Sequence, residues 1–171
     1  MVLLSEVVAL TFLTSSFGGD QFFDSTFLTW SNITQVLRAL SFIAIMTVGQ
    51  AVVIITGGID LSAGSVLGLT AVVTAVLLNQ NFSILPAALI GLAAGSACGA
   101  VNGLLVTETK LPPFIASLGM MSIARGLAFA LTGGQTIRDL PPDFLAIGQG
   151  SLAGIPIPIV VMTLFAVIVG L

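Results

Sequence analysis

The sequence predicts an all-α membrane protein: a polytopic bundle of transmembrane helices forming one domain over residues 1–171. Of 171 residues, 57% are hydrophobic and only 6% charged, whereas soluble domains run about 45–50% apolar and about 25% charged. Seven acidic and four basic groups are too few to clothe a water-facing surface of this size. Mean hydropathy is +1.19. The apolar runs are also long and unbroken, unlike the alternating segments of about 10 residues that mark a membrane β-barrel.

A helix needs about 20 residues to cross about 30 Å of hydrocarbon, and stretches of that length set the expected spans. The first is Met1–Phe17, with one charge at Glu6, ending in Phe17-Gly18-Gly19-Asp20. Residues 18–35 are polar and aromatic, with Asp20, Asp24 and Trp30, a composition suited to the membrane interface. A second span runs Val36–Ile59. No charge then separates Asp60 from Glu108, a 47-residue run long enough for two helices, Ala63–Leu78 and Leu85–Val106. Asn79-Gln80-Asn81 and Pro86 punctuate them. Thr107–Pro113 is a short polar connection closed by two prolines, and Phe114–Leu131 is the fifth span. Residues 132–154, rich in Gly, Pro and polar groups, are expected to be the longest non-helical stretch. Ile155–Leu171 opens a sixth span with Pro156 and Pro158 in its first turn, where a missing N–H matters least. Cationic residues favour the cytoplasm, which puts Lys110 inside and the 18–35 and 132–154 loops outside.

Several chemistries are excluded. There is no His, no Tyr and a single cysteine, Cys98, so the chain holds no internal disulfide, Cys/His zinc site or His-based triad. No metal or cofactor is expected, and no catalytic residue can be assigned. Four scattered basic residues give no footprint for nucleic acid. The Gly-Lys-Ser/Thr phosphate signature is missing, so ATP hydrolysis would belong to another chain.

Three features are candidates for function. Thr56-Gly57-Gly58-Ile59-Asp60-Leu61-Ser62 combines a helix stop with a helix start: Gly57 or Gly58 can end one helix, and Asp60 or Ser62 can cap the next. It is either a tight turn at the membrane surface or a broken helix facing a translocation pathway. Gly91, Gly95, Gly99 and Gly103 recur every four residues, and Gly64 and Gly68 repeat the spacing; such stripes let helices pack closely. Arg125, inside the fifth span, either reaches the headgroups by snorkelling or lines a polar pathway with the candidates Gly57, Gly58, Asp60 and Ser62. Asp60 is its obvious partner in the sequence, although the expected depths of the two residues argue against direct pairing.

Gly49-Gln50-Ala51-Val52-Val53-Ile54-Ile55-Thr56-Gly57-Gly58-Ile59-Asp60-Leu61-Ser62-Ala63-Gly64-Ser65 resembles the signature of ribose/xylose/galactose-type ABC importer permeases, a family shared more distantly with branched-chain amino acid permeases. Leu111-Pro112-Pro113-Phe114-Ile115-Ala116-Ser117-Leu118-Gly119-Met120-Met121, with Arg125-Gly126, resembles its second signature. Ala63 and Ser117 stand where that family usually has Val and often has Thr. The resemblance implies a membrane subunit of an ATP-driven sugar importer in the bacterial plasma membrane. Its implied partners are an ABC ATPase, a periplasmic or lipoprotein sugar-binding protein and a second permease subunit, as a homodimer. It further implies about ten membrane helices in the whole protein, about six of them here, with this chain as the N-terminal part. An ion-coupled secondary transporter and a non-functional fragment that keeps only packing motifs are the alternatives.

Overall fold

The computed structural model describes residues 6, 8–10, 29–152 and 154–169. The helices are α1 (Trp30–Ile55), α2 (Ala63–Asn79), α3 (Ile84–Thr107), α4 (Pro113–Thr132), the short α5 (Pro142–Gln149) and α6 (Ile157–Val169). Between α5 and α6, β1 (Ser151–Leu152) pairs antiparallel with β2 (Ile155–Pro156). Among the described residues, three helices are long and apolar enough to cross a membrane: α1 with 26 residues, α3 with 24 and α4 with 20. Helices α2 and α6 are apolar but shorter. The expected span Met1–Phe17 lies almost entirely outside the described residues.

Boundaries moved where polar side chains could satisfy backbone groups locally. Helix α1 begins at Trp30, inside the stretch expected to be interfacial. The Thr29 hydroxyl accepts the Asn32 N–H at 3.3 Å, and Gln35 reaches back to Ser31 at 3.3 Å. The stretch 132–154, expected to be non-helical, contains α5. Pro141 and Pro142 preset its first turn, Asp143 suits its positive end, and the Phe144 and Leu145 N–H groups both reach Pro141 O. Pro156 is not in the first turn of the last helix; it pairs with Ser151 in the two-stranded ladder, and Pro158 opens α6.

Two compact units are distinguished: residues 1–45 with 149–171, and residues 46–148. In the first, Arg38 of α1 donates through Nη2 to the Gln149 carbonyl at 2.8 Å, and Ile157 N–H closes on Gly150 O at 3.0 Å. In the second, α2 is the central helix. It packs against both α3 and α4, which also touch each other. Its buried residues are Leu69, Thr74, Ala75 and Leu78; those of α3 are Ala87 and Gly91, and α4 buries Ala116, Ser117, Met120 and Ala124. Small residues dominate this core, so backbones come close, as membrane helices require when no hydrophobic driving force separates helix from lipid. The outside carries exposed Leu, Ile, Val and Phe along every long helix, including Ile55, Leu85, Leu92 and Phe129.

Helix α2 ends in a left-handed stop at Asn81, φ +64°. Phe82 N–H bonds Leu77 O and Asn81 N–H bonds Leu78 O, which is the paired 6→1 and 5→2 closure of a Schellman motif. Asn79 donates to Arg138 O at 3.2 Å, so the 79–84 turn and the loop after α4 lie at the same end of this unit.

Candidate functional site

The other end of that unit holds the helix break. Helix α1 stops through a second Schellman closure: Gly58 N–H reaches Val53 O at 3.0 Å and Gly57 N–H reaches Ile54 O at 2.9 Å. Gly57 sits at φ +80°, where any Cβ would crowd the backbone. The chain then runs without helix to Ser62, the residue before α2.

Three side chains satisfy this irregular backbone, and a fourth, Asn102, braces one of its side chains. Gln50 of α1 donates to the Asp60 carbonyl at 2.9 Å. Ser117 of α4 shares its hydroxyl between Ile59 O at 3.2 Å and Phe114 O at 3.1 Å. Asp60 Oδ1 accepts both the Ser62 N–H at 2.7 Å and the Ser62 hydroxyl at 2.6 Å. Asn102 of α3 donates through Nδ2 to Ser62 Oγ at 3.1 Å. Ser62 is therefore the hub of the knot, and it is only 1% exposed. It does not cap α2 with its own side chain; its hydroxyl is committed to Asp60 instead.

These bonds also place the break in depth. Asn102 lies more than a turn inside the end of α3 at Thr107, and Ser117 about one turn inside the start of α4 at Pro113. Ile59 and Ser62 are held at those levels, about 6–8 Å inside the helix ends at 1.5 Å per residue. Irregular backbone inside a bilayer is tolerated only where protein or water satisfies its polar groups, and here protein supplies the bonds.

Two cavities flank the break. One, of about 510 Å³, has Gly58, Ile59, Asp60, Asn102, Gly103 and Ser117 in its wall. The other, of about 350 Å³, is floored by Gly64 and Gly68, with Ser65 and Arg125 beside them. Arg125 donates through Nε to Ser65 Oγ at 3.1 Å. Among the described residues no ion pair joins it to Asp60. The pathway candidates thus separate: Gly58 and Asp60 border the larger cavity and Arg125 the smaller, beside Gly64 and Gly68, whereas Gly57 and the buried Ser62 line neither.

The six stripe glycines also divide. A Cβ on Gly91 would collide with Thr74 Oγ1 and sit 2.9 Å from Thr70 O, and one on Gly95 would sit 2.6 Å from Thr70 Oγ1. Those two glycines are where α3 touches α2. Gly64, Gly68, Gly99 and Gly103 face open space.

Gln50, Asn102 and Ser117 were not among the sequence candidates for the site, yet they hold the break together. The available signal was chemical. Gln50 and Asn102 are amides deep in apolar helices, and polar residues in that setting usually bond another helix.

Fold and site define a polytopic α-helical membrane protein with a helix break whose backbone is held by side chains of neighbouring helices. The chain belongs to the family of branched-chain amino acid transport system permease components, whose model matches residues 32–171. It is 37% identical over 143 residues to the D-allose transport system permease protein AlsC of Escherichia coli strain K12, covering 83% of this chain and 44% of that protein. It is 37% identical over 145 residues to the ribose import permease protein RbsC of Bacillus subtilis strain 168, covering 84% and 45%. It is 36% identical over 129 residues to the galactofuranose transporter permease protein YtfT of Escherichia coli strain K12, covering 75% and 38%. The chain therefore spans less than half the length of these relatives. No solved structure matches it.

Proposed function

We propose that this chain supplies membrane-crossing permease structure to an ATP-binding-cassette importer that carries a monosaccharide across the bacterial plasma membrane. The observation that carries the reading is the family match over residues 32–171. Similarity to permeases named for D-allose, ribose and galactofuranose favours a sugar as cargo. The chain acts as one permease domain, as a transport subunit and not an enzyme. Hydrolysis takes place on a separate ABC ATPase, delivery is by a sugar-binding protein, and a second permease copy completes the pathway.

In this reading α2 crosses the bilayer together with the non-helical 56–62 segment, because its 17 residues cover only about 26 Å. Helix α6 adds a further crossing. The solute passes the break at Gly57, Gly58, Asp60 and Ser62, with Arg125 on the adjoining cavity. Lys110 faces the cytoplasm.

The test is uptake of radiolabelled D-ribose and D-allose by proteoliposomes holding the permease with an ABC ATPase and a sugar-binding protein from the same organism. Uptake requiring internal ATP is expected. Uptake that follows an ion gradient and persists without the ATPase would make the protein a secondary transporter instead.

A further inference from the structure

We propose that the 510 Å³ cavity beside the break is a recognition site for an uncharged, hydroxyl-rich solute, with Asn102 Oδ1 and the Asp60 carboxyl group as its acceptors. The proposal rests on the importer reading and assigns one step of it to named atoms. Three observations carry it.

The first is the direction of the hydrogen-bond chain. A serine hydroxyl has one proton to give, and that of Ser62 goes to Asp60 Oδ1. Ser62 Oγ can then only accept from Asn102, which fixes the amide with Nδ2 toward Ser62 and Oδ1 away from it. The second is that Oδ1, so oriented, is shielded from water and accepts no hydrogen bond. Buried acceptors are nearly always bonded, so an orphan calls for an explanation. Asn102 already forms part of the cavity wall, and its terminal torsion is a broad one. To bond an occupant, Oδ1 has to turn about that torsion toward the cavity. An incoming hydroxyl supplies the missing donor.

The third observation is the character of the wall. Among its described residues there is no Lys or Arg, while Asp60 contributes an oxygen that Ser62 does not use. A zwitterionic amino acid would bring its carboxylate to a wall with no cation and a carboxyl group already present. A polyol brings donors to acceptors. The volume falls within the range of about 300–1,000 Å³ usual for small-molecule sites. Gly99 and Gly103 keep the α3 side of the cavity open, since neither has a neighbouring atom within 4 Å of a would-be Cβ.

The experiment is thiol labelling in native membranes of the full-length permease carrying Cys98→Ser and Gly103→Cys. A small hydrophilic thiol reagent is applied with D-ribose, D-allose, L-leucine or no addition. Several-fold slowing of labelling by the two sugars and none by L-leucine is expected. Adding Asn102→Leu should abolish that protection while labelling without sugar persists, which shows that the cavity is still formed. If Asn102→Leu is not labelled at all, Asn102→Ala carries the test. Equal protection by L-leucine, no protection by either sugar, or protection that survives loss of the Asn102 amide would overturn the proposal. The importer reading is judged separately. ATP-driven sugar uptake with unchanged rate and KM in the Asn102 variant would uphold the importer and remove this site. Sugar protection without ATP-driven uptake would do the reverse.

Discussion

Ser62 holds the break together with one hydroxyl. In Ser62→Ala, Asp60 Oδ1 keeps the backbone N–H but loses the hydroxyl, and Asn102 Nδ2 loses its acceptor. Leaving a buried polar group unsatisfied costs about 1–3 kcal/mol, so the variant should unfold in detergent micelles at a clearly lower denaturant concentration. Unchanged unfolding would show that the knot contributes no stability. The glycines give a sharper contrast because chemistry and helix are shared. Gly91→Ala forces a Cβ into Thr74 and Thr70, and overpacking of this kind costs about 1–3 kcal/mol. Gly99→Ala meets open space and should be neutral, or stabilising by about 0.5–1 kcal/mol through lower backbone entropy in the unfolded chain. The same micelle unfolding assay compares them, and equal effects would disprove the assignment of Gly91 as the contact point.

At the scale of elements, the stop between α1 and α2 was legible because its chemistry is local. Gly57 needs φ +80°, and a glycine pair after an apolar run announces a left-handed closure. Gly57→Ala should cost about 1–2 kcal/mol from the left-handed strain alone. That loss can be read as a lower melting temperature, and one matching an alanine placed in a helix interior would refute the strain. Whether the stop was a surface turn or an internal break was not legible. That distinction depends on which levels of α3 and α4 face it, and Asn102 and Ser117 lie 40 or more residues further along the chain. The short helix α5 was missed for a related reason. Eight residues give too little periodicity to stand out among prolines and polar groups, and Pro141-Pro142 reads equally well as a loop.

For the molecule as a whole, the exposed apolar surface decides its solvent. Side chains such as Ile55, Leu85 and Ile168 are 84%, 70% and 79% exposed, and burying that surface in water would require self-association. The protein should stay with the membrane pellet after alkaline carbonate washing and need detergent for extraction. Release into the supernatant as a dispersed species would contradict the membrane assignment. Arg125 tests the pathway at this scale. On the proposed importer reading, Arg125→Gln should lower ATP-driven uptake while leaving the protein's amount in the membrane unchanged, and intact uptake would remove Arg125 from the proposed path.

Composition and run length were enough to determine the solvent, the helical class and the placing of most breaks, because transfer into lipid and backbone stereochemistry act on each segment separately. Only the tertiary structure decided which levels of α3 and α4 the 56–62 break meets, which two of six glycines bear contact, and that Asn102, not Arg125, joins the Asp60 knot. Those outcomes depend on the rotation and level of one helix against another, which are fixed by side chains meeting across the bundle and leave no mark in any single stretch of sequence.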